Sequence, residues 1–360
     1  MLESFRAKNF KCFEDFTIKP LATVNLVTGL NNVGKTALLE AMFLHAGYFN
    51  PALAAVINVF RGVEKFRKDH EVLWGWLFSN HNLAATIELT GTDPADVKTV
   101  LKISLCPMSQ VIEAGSGQEG LLEPSPGLGV TNGSVSRKLL YEYSDSSGQQ
   151  ERNAIWLTPD GKIVSQNPPT ERGVAAHFVV SRKRFFEQDA DLLDELTRKK
   201  RQNELVEKSR VFESRLNGLS VSTAWGPKMI VADLEGQPEL MPLAYAGEGL
   251  TRIISMLLRI LPAAGGLVLI DEIDNGIHHT TLESVWRAIA ETANTSKVQV
   301  VATTHSQECI IAAHKAFASR LEYDFRLFRL SRPPRKNTIE VVCYDREKLE
   351  IAINAGKDVR

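Results

Sequence analysis

The sequence has little that would tie a protein together covalently or seat it in a bilayer. Its 4 cysteines (Cys12, Cys106, Cys309 and Cys343) are far apart and form no CxxC pair. That argues against a disulfide framework or a zinc site and for a reducing compartment, hence a cytoplasmic protein. The opening MLESFRAKNFKCF carries charges where a secretion signal needs an apolar core. No window approaches the ~18 uncharged apolar residues of a membrane helix, and the longest apolar run, Leu261 to Ile270, is too short. Net charge is missing too: 42 Lys plus Arg against 43 Asp plus Glu leave a formal charge of -1. Without a whole-chain positive field, nucleic-acid binding has to come from local patches. No internal repeat is present. What remains is ordinary globular material, 44% hydrophobic and 24% charged over 360 residues, enough for one large domain or two moderate ones.

Local pattern places the elements. Leu2 to Phe10 and Phe13 to Ile18 read as strands, and Ala22 to Thr28 as a buried strand ending at Gly29. From Gly34 the spacing of Ala37, Leu38, Leu39, Ala41, Met42 and Leu44 predicts a helix. The segment from about 50 to 80 looks helical and aromatic-rich. Strands are expected at Ala84 to Thr90, Val97 to Cys106, Lys138 to Tyr143 and Ala175 to Val180, with a mobile Gly/Ser/Pro-rich loop at Gly115 to Ser136. This stretch reads as an antiparallel β insertion. The charged run from about 187 to 216 reads as a helical insertion, and from Met229 an α/β pattern resumes, with a short helix after Asp345. The resulting division is 1–180, 181–225, 226–345 and a tail at 346–360.

Three stretches carry chemistry. Gly29-Leu-Asn31-Asn32-Val33-Gly34-Lys35-Thr36, followed by Ala37, fits GxxxxGK[ST] between a strand and a helix. In such a loop backbone N–H groups wrap a β-phosphate, Lys35 reaches the β- and γ-phosphates and the Thr36 hydroxyl takes Mg²⁺. Gly266 to Glu272 is an apolar strand ending in Asp271, suited to hold Mg²⁺, and Glu272, suited to polarise an attacking water. Tandem acids fit an ATPase with its own base better than a small GTPase. The next strand, Val298 to Thr303, ends in Thr304-His305-Ser306, which places His305 to contact a γ-phosphate. Leu243 to Arg252 contains Gly247-Glu248-Gly249 ahead of an apolar helix; it is either an ordinary helix start or a phosphate-facing turn. His278-His279 has no acid or cysteine at ligand spacing and reads as a solvated helix start.

Taken in this order, the loop at Gly29, the turn at Gly247, the acids Asp271 and Glu272 and the histidine His305 resemble ABC-type ATPases of the SMC/RecF/OLD branch. LVLIDEIDNGIHHTTLESVWRAIAETANTSKVQVVATTHSQECI is similar to stand-alone bacterial OLD-like AAA ATPases without a Toprim nuclease domain. The resemblance covers about 1–45 and 225–320. It implies an α/β P-loop NTPase of ABC type: a mixed sheet flanked by helices, with an antiparallel β region and a helical insertion. It implies ATP and Mg²⁺ as ligands, an N-terminal cation near the nucleotide (Arg6, Lys8 or Lys11), and a homodimer or higher oligomer closed by ATP. In that dimer Gly247, Glu248 and Gly249 face the other subunit's nucleotide. Two departures stand out. Ala246 occupies the place of the usual signature serine, so turnover is expected to be slow or partner-dependent. No glutamine is assignable to the Mg²⁺-sensing loop, which falls near Val180, ahead of Ser181-Arg182-Lys183-Arg184.

These features imply an ATP-gated switch or clamp in DNA repair or anti-phage defence. The partner expected is a separate Toprim-like nuclease or other effector, with DNA as a further candidate, because no acidic DxD cluster follows in this chain. The basic clusters Arg182–Arg184 and Arg198–Arg201 are either contact patches or solvated surface. A transporter ATPase subunit is the alternative, though such subunits lack a β-plus-helix insertion; no membrane contact is expected. A nucleotide-dependent scaffold with little turnover is the third reading, suggested by Ala246.

Overall fold

A computed structural model describes residues 1–63, 65–67, 74–108, 120–121, 129–131, 137–158, 162–167, 176–181, 183–334 and 338–360. The loop expected at Gly115 to Ser136 falls almost entirely outside these residues, and so does Arg182. The chain forms two units: residues 1–21, 30–174 and 330–342 in the first, and 22–29, 175–329 and 343–360 in the second.

The first unit is an antiparallel sheet with a buried helix. Its strands are β1 (Ser4–Phe10), β2 (Phe13–Ile18), β4 (Ile87–Thr92), β5 (Lys98–Pro107), β6 (Arg137–Asp145), β7 (Gln150–Leu157) and β8 (Ile163–Ser165). The order is β2-β1-β4-β5-β6-β7-β8, with the two-residue strand Gly120–Leu121 at the far edge. The N-terminal strands therefore continue directly into the later ones, so the antiparallel region is one sheet. Ile87, Leu89 and Gly91 alternate inward along β4, the period-2 pattern of a half-buried strand. The helix α1 (Lys35–Ala46) is buried at ten consecutive or nearly consecutive positions, from Lys35 to His45; α2 (Leu53–Phe60) follows it.

The second unit carries β3 (Val24–Gly29), β9 (Ala176–Val179), α3 (Phe186–Arg198), α4 (Gln202–Arg210), β10 (Leu216–Ser222) and β11 (Met229–Leu234). After these come α5 (Glu248–Ile260), β12 (Leu267–Ile270), α6 (Leu282–Ser296), β13 (Gln299–Thr303), α7 (Gln307–Ala318), β14 (Phe325–Ser331) and α8 (Arg346–Asn354). Its main sheet runs β9-β12-β13-β3-β14, with β9, β12, β13 and β3 parallel. β3, β12 and β13 are buried at every position, as central parallel strands require. Ala176–Val179 was expected in the antiparallel region but pairs in parallel with Leu267–Ile270. β10, β11 and the two-residue strand Met241–Pro242 form a separate antiparallel sheet, so the charged insertion ends in a strand. Helices α3 to α8 contribute to a single core that includes Trp286, Leu193 and Leu257. Among the described residues no helix is long and apolar enough to cross a membrane.

Candidate functional site

Parallel pairing brings the carboxyl ends of β3, β12 and β13 to one edge of the second unit's sheet, the edge where open α/β sheets bind ligands. The register sets Ile270 opposite Ala302 and Thr303 opposite Val27, and the Thr304 N–H donates to Val27 O at 3.1 Å. Asp271 and Glu272 leave β12 at this edge. Asp271 is buried. The Thr303 hydroxyl donates to Asp271 Oδ1 at 2.8 Å and accepts from the Glu272 N–H at 2.8 Å.

Glu272 has φ 48°, a left-handed conformation uncommon for a residue with a Cβ. Arg252, 1% exposed on α5, donates from Nη2 to Asp271 O at 2.6 Å and Glu272 O at 2.7 Å, and from Nη1 to Val180 O at 3.4 Å. Burial, with the nearby Arg184 cation, brings the Arg252 guanidinium down to about 10, still charged at neutral pH. The acids are thus gripped from the sheet by Thr303 and from the helix by Arg252. His305 is exposed in the loop between β13 and α7, and Thr304 beside it donates to Asp274 Oδ1 at 2.6 Å.

Three loops of this unit meet at the same edge. Gly247 has φ 97° and ψ 149°, which only glycine adopts readily. The Thr251 hydroxyl closes this turn on Leu243 O at 2.8 Å and Gly247 O at 2.9 Å. A Cβ on Gly249 would lie 3.1 Å from Gly276 O, and one on Gly276 would lie 3.0 Å from Glu248 Cγ. The turn after the acids therefore packs directly on Gly247–Gly249. Arg184 Nη2 donates to Glu248 Oε1 at 3.0 Å, and Asn275 Nδ2 donates to Ser181 O at 3.3 Å. The Glu248 charge thus has a counterion within the chain. Lys183, Arg184, Arg252 and Arg259 line a recess beside β9, so the loop after Val180 is basic. His278 caps the short turn His279–Thr281, with its Nδ1 2.9 Å from Thr280 Oγ1.

In the first unit, Leu30 to Thr36 leads into α1. Gly34 has φ 95°, and a Cβ there would lie 2.7 Å from Cys12 Sγ and 2.9 Å from Phe13 Cζ. Both conformation and space demand glycine. Asn32 also has positive φ, 63°. Val33 is buried, Asn31 exposed and Ala37 buried. No acid occupies the first turn of α1, so its N-terminal dipole is left to an anion. Lys35 Nζ donates to Leu30 O at 2.9 Å.

Two of the N-terminal cations, Arg6 and Lys11, pair with carboxylates of their own unit. Arg6 makes a bidentate pair with Asp15, 2.7 and 2.5 Å, on an exposed part of β1. Lys11 Nζ lies 2.6 Å from the buried Glu40 Oε2, whose other oxygen lies 2.6 Å from Arg61 Nε. Burial opposes the Glu40 charge, but Lys11 and Arg61 outweigh it and hold the carboxyl below its usual range.

A family model described as "AAA domain" matches residues 4–217, more than half of the chain. The chain belongs to the AAA domain family. A second model of AAA-domain type, "AAA domain, putative AbiEii toxin, Type IV TA system", matches residues 168–310. An "ATP/GTP phosphatase" from Helicobacter pylori is 22% identical over 326 residues, covering 86% of each chain. Among solved structures, an SMC head bound to the C-winged helix domain of ScpA aligns with TM-score 0.49 and 12% identity, covering 97% of this chain and 99% of that one. An SMC head domain from Thermotoga maritima aligns with TM-score 0.43 and 12% identity, covering 96% and 99%. This AAA-domain protein is a P-loop ATPase, and its reaction is hydrolysis of ATP.

Two residues central to the acid turn, Thr303 and Arg252, escaped the motif reading of this AAA-domain chain. Each is a polar side chain in an element rich in apolar residues, and that mismatch is the signal that marks them.

Proposed function

We propose that the protein is an ATP-gated switch of the OLD-like branch, in which ATP closes a homodimer and hydrolysis opens it. The observation that carries this reading is the acid turn: Asp271 and Glu272 held by Thr303 at 2.8 Å each at the carboxyl edge of the parallel sheet. Lys35 and the N–H groups of Gly29 to Ala37 bind the β- and γ-phosphates. Asp271 and Thr36 offer a carboxylate and a hydroxyl, the sparse hard-oxygen set that suits Mg²⁺ on a nucleotide. When bound, that ion neutralises charge developing on the phosphate oxygens. Glu272 accepts a proton from the attacking water, and His305 hydrogen-bonds the γ-phosphate.

Gly247–Gly249 contacts the nucleotide of the other subunit, with Arg184 offsetting Glu248. Binding energy at that turn is the difference in affinity that shifts the open–closed equilibrium. The Helicobacter pylori relative's name supports nucleoside triphosphate hydrolysis, and the toxin-type family description supports a role beside a partner. The setting proposed is cytoplasmic, in DNA repair or anti-phage defence, with a Toprim-like nuclease or other effector, and with DNA as a candidate ligand. Residues 1–180 and 226–345 make the ATPase head, and 181–225 its helical insertion.

The test is the mass of Glu272→Gln by light scattering. With MgATP the variant is expected to double in mass and stay doubled; an unchanged mass removes the dimer switch.

A further inference from the structure

We infer that Thr303 is a positioning residue for ATP hydrolysis, setting both acids at once. The inference rests on the reading of Asp271 and Glu272 as the metal-holding and water-activating carboxylates.

Thr303 is the last residue of β13 and is completely buried. A buried hydroxyl is costly unless both its donor and acceptor roles are used. Here they are: the proton goes to Asp271 Oδ1 at 2.8 Å, and a lone pair accepts the Glu272 N–H at 2.8 Å. The backbone adds a third contact, with Thr303 O accepting the Ile273 N–H at 2.9 Å. One residue therefore holds the side chain of Asp271 and the backbones of Glu272 and Ile273.

The direction of these bonds matters. A hydroxyl that accepts from an N–H turns its own proton toward the carboxyl, so Asp271 Oδ1 is met as an acceptor. Restraining Oδ1 limits rotation of the carboxylate, and holding the Glu272 N–H helps keep that residue at φ 48°. The direction taken by the Glu272 side chain follows from that backbone angle. Valine would fill the same space and branch at the same carbon, yet could hold neither acid.

The adjacent Thr304 repeats the device one residue on. Its hydroxyl donates to Asp274 Oδ1 at 2.6 Å and accepts the Ser306 N–H at 3.0 Å. The tandem threonines are thus used alternately, one for the acids and one for the turn after them.

Thr303→Ser and Thr303→Ala lose the same methyl and differ by the hydroxyl alone, so their comparison isolates it. Thr303→Val keeps the volume and decides if the alanine variant fails to fold, which urea unfolding reports. For each variant, kcat and KM for ATP are measured, together with equilibrium binding of a fluorescent ATP analogue in EDTA. The serine variant is expected within threefold of the wild-type kcat. Alanine and valine are expected at least tenfold lower, with analogue affinity in EDTA within twofold of wild type. Alanine as active as serine, or affinity in EDTA falling in step with kcat, overturns the inference. Asp271→Asn and Glu272→Gln in the same assay separate the two levels. If they keep the wild-type rate, the reading of the acids fails; if they lose it while alanine and valine do not, only the role of Thr303 fails.

Discussion

Gly34 and Gly247 both have strongly positive φ, 95° and 97°, but they differ in what surrounds them. Around Gly34 a Cβ meets Cys12 and Phe13, whereas around Gly247 nothing lies within 4 Å. Gly34→Ala is therefore expected to cost about 2–3 kcal/mol by strain and overpacking together and to weaken ATP binding more than tenfold. Gly247→Ala should cost about 1–3 kcal/mol of backbone strain alone and leave ATP affinity of the monomer intact. Urea unfolding and equilibrium ATP binding on both variants check the contrast. Arg252 is a third case. Arg252→Met strips hydrogen bonds from buried carbonyls of Val180, Asp271 and Glu272, and a loss of about 2–4 kcal/mol in unfolding free energy is expected, with slowed ATP hydrolysis. At this scale the sequence reveals glycine, lysine and acid positions because their chemistry sits in a known spacing. Thr303 and Arg252 stayed hidden because a burial partner is set by tertiary register, not by neighbours in the chain.

The helix α1 carries three buried ionisable or polar anchors, Lys35, Glu40 and His45, so its placement depends on charge as well as packing. Glu40→Ala leaves Lys11 and Arg61 without their shared carboxylate, and a loss of about 3 kcal/mol is expected, measured by urea unfolding. His45 is hydrogen-bonded to Thr99 O at 3.1 Å, and burial pushes its imidazole down to about 4. The unfolded chain, with an ordinary value near 6.5, binds the proton first as pH falls. Stability contributed by neutral His45 is therefore full above about 6.5 and drains away toward pH 4, reaching a loss of about 2 kcal/mol at pH 5. His45→Gln should lose less between pH 7.5 and pH 5 by about that amount; equal losses would contradict it.

Among the elements, the strand–loop–helix around Gly29 to Ala46 was legible because periodicity changes there from buried strand to helix. Gln150–Leu157 was not, because its first half is polar, and Leu216–Ser222 was hidden in a charged helical run. Ala176–Val179 was recognised as a strand, but four residues carry no sign of parallel or antiparallel pairing.

At the scale of the molecule, strand β3 belongs to the second unit and helix α1, which follows it in the chain, to the first. Ligand that binds only the folded protein should raise stability by about 2.7 kcal/mol at a hundredfold excess over Kd, so MgATP is expected to raise the unfolding midpoint of wild type and not of Lys35→Ala. The fold class was readable because motif order and strand pattern agree, whereas the division into two units was not, since it depends on which distant strands pair. The most direct measurement pairs calorimetric titration of MgATP with phosphate release for wild type, Lys35→Ala and Glu272→Gln. Glu272→Gln is predicted to bind MgATP with wild-type affinity and release phosphate at least a hundredfold more slowly, and Lys35→Ala not to bind. Wild-type phosphate release by Glu272→Gln, or wild-type affinity in Lys35→Ala, would contradict the account.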